Sequence, residues 1–147
     1  MSGPPAVTVE IELLQVLLAA EHAVVYGYGV LGARLEDALK PAARLASDSH
    51  RARRDALTAL LLDRDAVAPA ALMAYDVTVA QQSDALALAI RLEEQLALRW
   101  RDLVGGAVDL QLRLLGAAGL AEVAVRAARW RLLLGRRPVT VALPGQD

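Results

Sequence analysis

The chain has 147 residues, of which 56% are hydrophobic and only 3% aromatic, and it contains no Cys and no Phe. Ala, Leu and Val supply the apolar mass, a composition that favours helices over β-sheets. The lack of Cys excludes disulfides, thiolate zinc sites, iron–sulfur clusters and Cys nucleophiles. A net charge of −1, from 16 basic and 17 acidic residues, argues against general attraction to nucleic acid or an anionic membrane. One domain is the default at this length, so residues 1–147 are predicted to form a single helical domain.

Two features of the charge pattern bear on location. The first 33 residues lack Lys and Arg, so the sequence has no basic segment of the kind that opens a secretory signal. The longest stretch without a charge, His22 to Ala33, has 12 residues and is too short to cross a bilayer. We therefore expect a cytoplasmic protein with no membrane-spanning segment and no nucleic-acid partner.

The first half of the chain has the pattern of a helical hairpin. Residues 1–7 read as a loose leader, and Thr8 is predicted to cap a first helix that runs to about Leu39. Lys40-Pro41 ends that helix, and the second is predicted over Ala42–Arg64. The residues expected on the buried faces are Leu14, Leu17, Val24, Leu31 and Leu35, then Ala46, Leu57, Leu60 and Leu61.

The second half repeats this pattern after a long connection over residues 65–77. Thr78 to Gln81 is predicted to be a capping box that opens a third helix, which runs to Val104. Gly105-Gly106 reverses the chain into a fourth helix from about Ala107 to Leu134, apolar nearly all round and ended at Gly135. Residues 138–147 form a short, partly apolar tail that we expect to lie along the bundle. The core residues expected here are Leu86, Ala89, Leu96, Trp100 and Leu103.

The order of connections is short loop, long crossover, short loop. In four-helix bundles this connectivity is typical of ferritin-like folds. Because no segment has the pattern of a strand, we predict an all-α, ferritin-like four-helix bundle made of two helical hairpins joined by a long crossover.

An offset of 72 residues aligns unusual polar positions in the two halves. Two equivalent hairpins related by a pseudo-twofold axis would produce such a repeat. An ionised carboxylate on a packed face is costly unless it is paired, so the aligned residues are predicted to form a buried polar network in which Glu21 and Glu93 pair with Arg54 and Arg126. The aligned pairs are Glu21 with Glu93, His50 with Glu122, and Arg54 with Arg126.

The same positions can be compared with the two-metal site of ferritin-like bundles, which takes one Glu from each of two helices and a Glu-x-x-His pair from each of the other two. The second helix offers Ser47-x-x-His50 and the fourth offers Glu122-x-x-Val125, so one half of each pair is missing. We therefore predict a degenerate di-iron site with no metal and no cofactor. The alternative is a reduced iron or manganese site made by Glu21, His50, Glu93 and Glu122.

Catalytic motifs are absent from the sequence. There is no Gly-rich phosphate loop, Ser/His/Asp arrangement or HExxH motif, so no catalytic residue is predicted. His22 is rotated by about 100° from Glu21 around the helix and is predicted to be partly exposed rather than a ligand.

Several segments resemble a known family, the small actinobacterial ferritin-like domain of unknown function. The resemblance covers nearly the whole chain and implies a four-helix ferritin-like fold, but it implies no established activity. The segments that carry it are Leu14–Leu31, His50–Asp55, Leu92-Glu93, Arg126–Arg131 and the closing Leu143-Pro144-Gly145.

We predict from these features a structural or protein-interaction module without redox chemistry. The sequence favours a protein that is not an enzyme but leaves that question open. The apolar surface on every side of the fourth helix predicts a homodimer, or a partner helix that covers one face. The alternative function is a metal-binding oxidase or storage protein that retains a reduced iron or manganese site.

Overall fold

Four helices and no strands make up the secondary structure of residues 5–146, the part of the chain that the computed structural model describes. The helices are α1 (Ala6–Gly32), α2 (Lys40–Leu62), α3 (Gln82–Gly106) and α4 (Leu110–Leu134). The all-α prediction is confirmed for these residues. Residues 1–4 of the predicted leader and residue 147 of the predicted tail lie outside the described range.

The first helix begins and ends earlier than predicted. It starts at Ala6, directly after Pro5 and without a side-chain cap, so the prediction that Thr8 caps it is wrong. It ends at Gly32 rather than near Leu39. Glycine has a low helix propensity, and in the turn that follows Gly32 the side chain of Leu35 is still buried in the core.

The third helix has its capping box three residues later than predicted. The Asp84 carboxylate accepts hydrogen bonds from the backbone N–H groups of Ala80 (3.2 Å) and Gln81 (3.1 Å), and the Gln81 side chain reciprocates. The predicted box at Thr78–Gln81 is therefore wrong, because Gln81 is itself the N-cap residue and Asp84 takes the third helical position.

The fourth helix begins at Leu110 rather than at Ala107. Asp109 caps it by accepting a hydrogen bond of 2.8 Å from the N–H of Gln111. The helix ends as predicted at Gly135, which has a left-handed φ of 74° that favours glycine.

The helices pack in an open chain of neighbours: α1 contacts α2 and α3, and α3 contacts α4. The ten residues predicted for the cores of the first and third helices are all at most 5% exposed. At Gly119 a Cβ atom would lie 2.3 Å from the Trp100 ring, so α3 and α4 approach closely there. Leu60, predicted to be buried, is only partly buried.

The long crossover over residues 63–81 is held against α1. Nε2 of His22 donates to the carbonyl of Pro69 at 2.9 Å, and the rings of Tyr26 and Tyr75 lie 5.2 Å apart. His22 is partly buried and serves to position the crossover.

The tail after α4 runs back over the groove between α3 and α4. Arg131 donates to the carbonyl of Val139 (3.2 Å), and Arg101 donates to the carbonyl of Gly145 (3.0 Å). The tail therefore lies along the bundle, as the sequence predicts.

Among the described helices, none combines the length and apolar character needed to cross a membrane.

Candidate functional site

The centre of the bundle holds one histidine between two carboxylates. Nδ1 of His50 lies 2.9 Å from Oε2 of Glu21, and Nε2 lies 2.9 Å from Oε1 of Glu93. All three side chains have 0% exposure. An ionised carboxylate only accepts hydrogen bonds, so both ring nitrogens must carry a proton to make both bonds. The geometry is therefore that of an imidazolium cation between two anions.

Helical spacing turns these three side chains inward. Glu21 lies seven residues after Leu14, and Glu93 lies between Ala89 and Leu96 on the buried face of α3. Residues three, four or seven apart share one side of a helix, so a polar residue inserted in such a series must face the core. His50 reaches the same level from α2.

The pKa of His50 reflects this enclosure. Burial by itself lowers the pKa, but hydrogen bonds to Glu21 and Glu93 and their negative charges outweigh burial and raise the pKa from 6.5 to about 9. For Glu21, burial raises the pKa above its ordinary value of 4.5, and the hydrogen bond to His50 opposes that rise. His50 is therefore charged at neutral pH.

The fourth helix supplies a second cation. Nε of Arg126 lies 3.2 Å from Oε1 of Glu93, and its terminal nitrogen donates to Oγ of Ser49 at 3.1 Å. With two carboxylates, one imidazolium and one guanidinium, the cluster has no net charge. Each of the four helices contributes one charged member, and we call Glu21, His50, Glu93 and Arg126 the central cluster.

Two aromatic side chains complete the surroundings of Glu93. The Tyr28 hydroxyl donates to Oε1 of Glu93 at 2.5 Å and accepts from Nε1 of Trp130 at 2.8 Å. Burial, together with the neighbouring Glu93 charge, raises the pKa of Tyr28 well above 10. Tyr28 therefore remains a hydrogen-bond donor at every physiological pH.

A second ionic contact joins α2 and α4 at the edge of the central cluster. Arg53 binds Glu122 through two hydrogen bonds, of 2.5 and 3.3 Å, and its guanidinium lies 5.5 Å from the centre of the Trp100 ring. The Glu122 side chain is 42% exposed. Long polar side chains thus join α2 to α4 at this edge.

Of the six predicted network residues, the structure brings four together as the central cluster. Glu122 lies at its edge, and Arg54 lies outside, bonded to its neighbour Asp55 at 2.8 Å with 30% of its side chain exposed. The predicted pairing of Glu21 with Arg54 does not occur. Each residue advances about 100° around a helix, and this step turns Arg53 rather than Arg54 toward α4.

Sequence reasoning missed the roles of Tyr28, Trp130, Ser49 and Arg53. A signal existed for two of them, because Tyr28 follows Glu21 by seven residues and Trp130 follows Arg126 by four. Those spacings place each pair on one helix face. The contacts between helices carry no comparable signal in the sequence.

The ferritin-like resemblance implies iron or manganese, but neither metal fits the residues of the central cluster. Both ring nitrogens of His50 are bonded to carboxylates, and Arg126 contacts Glu93. Val125 is 50% exposed, so the predicted Glu122-x-x-Val125 position does not face the centre. Across residues 5–146, no three His, Asp or Glu side chains are grouped as metal ligands.

One acceptor of the central cluster has no hydrogen-bond partner within residues 5–146, and this is Oε1 of Glu21. Glu21, His50 and Glu93 have no exposed side-chain surface, and Arg126, at 15% exposure, is the one member of the cluster that reaches the surface. The opposite charges of the cluster balance one another, and their contacts hold the four helices in one register.

The variant Glu21→Ala tests the central cluster directly. Removing one partner of a buried ion pair leaves the other charge uncompensated, and we expect the free energy of unfolding to fall by about 3–5 kcal/mol. The matched control is Arg54→Ala, which breaks an exposed pair and should cost less than about 1 kcal/mol. Urea unfolding followed by circular dichroism measures both. Equal losses in the two variants would contradict the assignment.

The pH dependence of stability provides a second test. Because the pKa of His50 rises from 6.5 in the unfolded chain to about 9 in the fold, its stabilising contribution is complete below pH 6.5 and is lost as the pH rises through 9. Over this window we expect the loss of the His50 contribution alone to lower the free energy of unfolding by about 3 kcal/mol. The raised pKa of Glu21 also makes the free energy of unfolding decline as the pH rises above 4.5.

Two histidine variants provide the controls for this prediction. His50→Gln should flatten the decline between pH 6.5 and 9, and His22→Gln should preserve it. An unchanged profile in His50→Gln would refute this account.

Comparison with known proteins places the chain in a family. The crystal structure of the conserved hypothetical protein Rv2844 from Mycobacterium tuberculosis is similar, with 34% sequence identity and a TM-score of 0.83 over 86% of this chain and 97% of that one. No curated protein matches significantly. The profile of a domain of unknown function, DUF4439, matches residues 14–147. This chain therefore belongs to the DUF4439 family.

Proposed function

We propose that this protein is a ferritin-like bundle in which a protein side chain stands where metal-binding relatives of that fold hold a metal ion. The observation that carries the proposal is the pair of 2.9 Å hydrogen bonds from His50 to Glu21 and Glu93. The packing of α1 against both α2 and α3, with one long crossover between the hairpins, supports the ferritin-like assignment.

The protonated imidazole is a poor starting point for metal binding. A histidine ligates a metal through an unprotonated nitrogen, and both nitrogens of His50 are committed to hydrogen bonds. With a pKa of about 9, removing the first proton at pH 7 costs about 3 kcal/mol. Metal binding would also break the hydrogen bonds of Glu21 and Glu93 with the His50 ring. The central cluster is therefore better suited to a structural role than to redox chemistry.

Exposed apolar side chains on the outer surface support an interaction role. Large apolar side chains are exposed on α4, at Leu110, Leu114 and Leu132, and on the crossover, at Leu72 and Met73. Exposed apolar surface of this kind marks protein-interaction sites in soluble domains. We therefore propose a non-redox protein-interaction module whose buried charges fix the bundle and whose surface binds a partner.

One observation favours the alternative of a metal-binding protein. Oε1 of Glu21 has no partner among the described residues, and a buried carboxylate oxygen is a ligand that iron and manganese accept. A cation there would have to displace His50 from at least one carboxylate.

Metal titration distinguishes the two functions. We expect protein purified without chelator to contain far less than one iron or manganese per chain, and calorimetric titration with Fe²⁺ (without oxygen) or Mn²⁺ to show no stoichiometric binding. His22→Ala controls for weak binding by the partly buried imidazole. Stoichiometric binding that survives His22→Ala and disappears in Glu93→Ala would overturn the proposal in favour of a reduced metal site.

A further inference from the structure

The outer face of α4 carries an apolar stripe that contains no charged residue. Its members follow one another at steps of three or four residues, and such residues share one side of a helix. All are exposed except Ala128, which is half-buried. This outer stripe consists of Leu110, Leu114, Ala117, Ala121, Val125, Ala128 and Leu132.

The outer stripe is symmetric in sequence about Ala121. Leu110 and Leu132 each lie 11 residues from Ala121, Leu114 and Ala128 lie 7, and Ala117 and Val125 lie 4. A two-fold axis through the middle of such a stripe pairs every member with another apolar member of a second, antiparallel copy. A self-complementary patch of this kind is what a two-fold dimer requires.

We propose that two copies of this chain associate through the outer stripe, with their α4 helices antiparallel and the two-fold axis at Ala121. Leu110 of one copy then lies beside Leu132 of the other, and Ala117 lies beside Val125. The small side chain at the axis permits the close approach of two helices, at about 8 Å between their axes. This inference deepens the proposed interaction role, on which it rests, by identifying the partner as a second copy.

A groove beside the outer stripe supports the same arrangement. A cavity of about 780 Å³ lies between the tail and the α3–α4 pair, and its lining includes Val125, Leu132, Val141 and Pro144. Val125 and Leu132 belong to both the outer stripe and the cavity wall. With the two-fold axis at Ala121, the first half of the other copy's α4 lies along this groove. By symmetry, each copy covers the groove of the other.

The charges beside the outer stripe are compatible with the pairing. The two-fold axis brings exposed Gln111 of one copy to the same edge and level as exposed Arg129 of the other, where the amide can accept a hydrogen bond. At the opposite edge Arg113 approaches Arg131, whose charge is balanced within its own chain by Glu94. Beside the axis the Glu122 carboxylates of the two copies lie at one edge, and each is paired with Arg53 of its own chain.

The size of the interface suits a reversible dimer. From Leu110 to Leu132 the outer stripe is ~33 Å long, and a strip of helix surface of that length buries on the order of 1,300 Å² over both copies, near the lower end of specific interfaces. Exposed Val141 on the tail lines the same cavity as Val125 and Leu132 and extends the apolar area beside the outer stripe.

Analytical ultracentrifugation of charge variants tests the proposal. We expect the natural chain to sediment as a dimer of 15.6 kDa subunits. Ala121→Glu, which sets two carboxylates against each other at the axis, should give monomers with unchanged helical circular dichroism. Ala56→Glu is the matched control on exposed α2 surface and should remain dimeric. An equimolar mixture of Ala121→Glu and Ala121→Lys should recover the dimer, because opposite charges then meet at the axis.

Disulfide trapping tests the register independently, since the chain has no Cys of its own. Under mild oxidation, Ala121→Cys should form a covalent dimer efficiently and Ala56→Cys should not. A natural chain that stays monomeric at every concentration would overturn the proposal, and so would a dimer that survives Ala121→Glu or the failure of Ala121→Cys to cross-link. These outcomes are separate from metal titration, which tests the central cluster and does not depend on the oligomeric state.

Discussion

The bundle depends on the placement of one buried cation between two buried anions. An unpaired charge in a protein interior is costly, so His50 confines Glu21 and Glu93 to one level of the bundle and thereby fixes α1, α2 and α3 relative to one another. Arg126 extends the constraint to α4 through its contact with Glu93. An Ala- and Leu-rich interior offers few features that distinguish one helix register from the next. The central cluster supplies that distinction, because a shift of any helix by one turn would strand a charge.

The 72-residue repeat is preserved in one pair of helices and broken in the other. Glu21 and Glu93 occupy equivalent places and bind opposite nitrogens of the same ring. Their counterparts on α2 and α4 diverge, because His50 is buried whereas Glu122 lies at the margin. The asymmetry keeps the central cluster neutral. Two positive charges already meet two negative ones there, so a second buried imidazolium or carboxylate would leave a net charge. The result is a centre in which two positive charges balance two negative ones.

The sequence predicts the helices, their buried faces and the inward position of the polar residues, because each of these follows from spacing along a single helix. The partners within the cluster depend on how helices sit against each other, and here prediction fails. Arg54 and Arg53 differ by one residue, yet only Arg53 reaches α4. Val125 lies three residues after Glu122, which is the spacing of the second ligand in a Glu-x-x-His pair, but its side chain is 50% exposed. Helix ends are misplaced as well: α1 ends at Gly32, and Leu35, predicted on its buried face, packs into the core from the turn that follows.

The protonation state of the His50 ring is the most direct test of whether a buried cation joins Glu21 and Glu93. Nitrogen-15 nuclear magnetic resonance of the imidazoles, assigned with His22→Gln, reports whether each ring nitrogen carries a proton. We expect both nitrogens of His50 to be protonated at neutral pH and to remain so until the pH approaches 9, well above the ordinary titration of histidine. A His50 ring with one unprotonated nitrogen at pH 7 would contradict this expectation, because a neutral ring cannot donate to both Glu21 and Glu93 and cannot serve as the cation at the centre of the bundle.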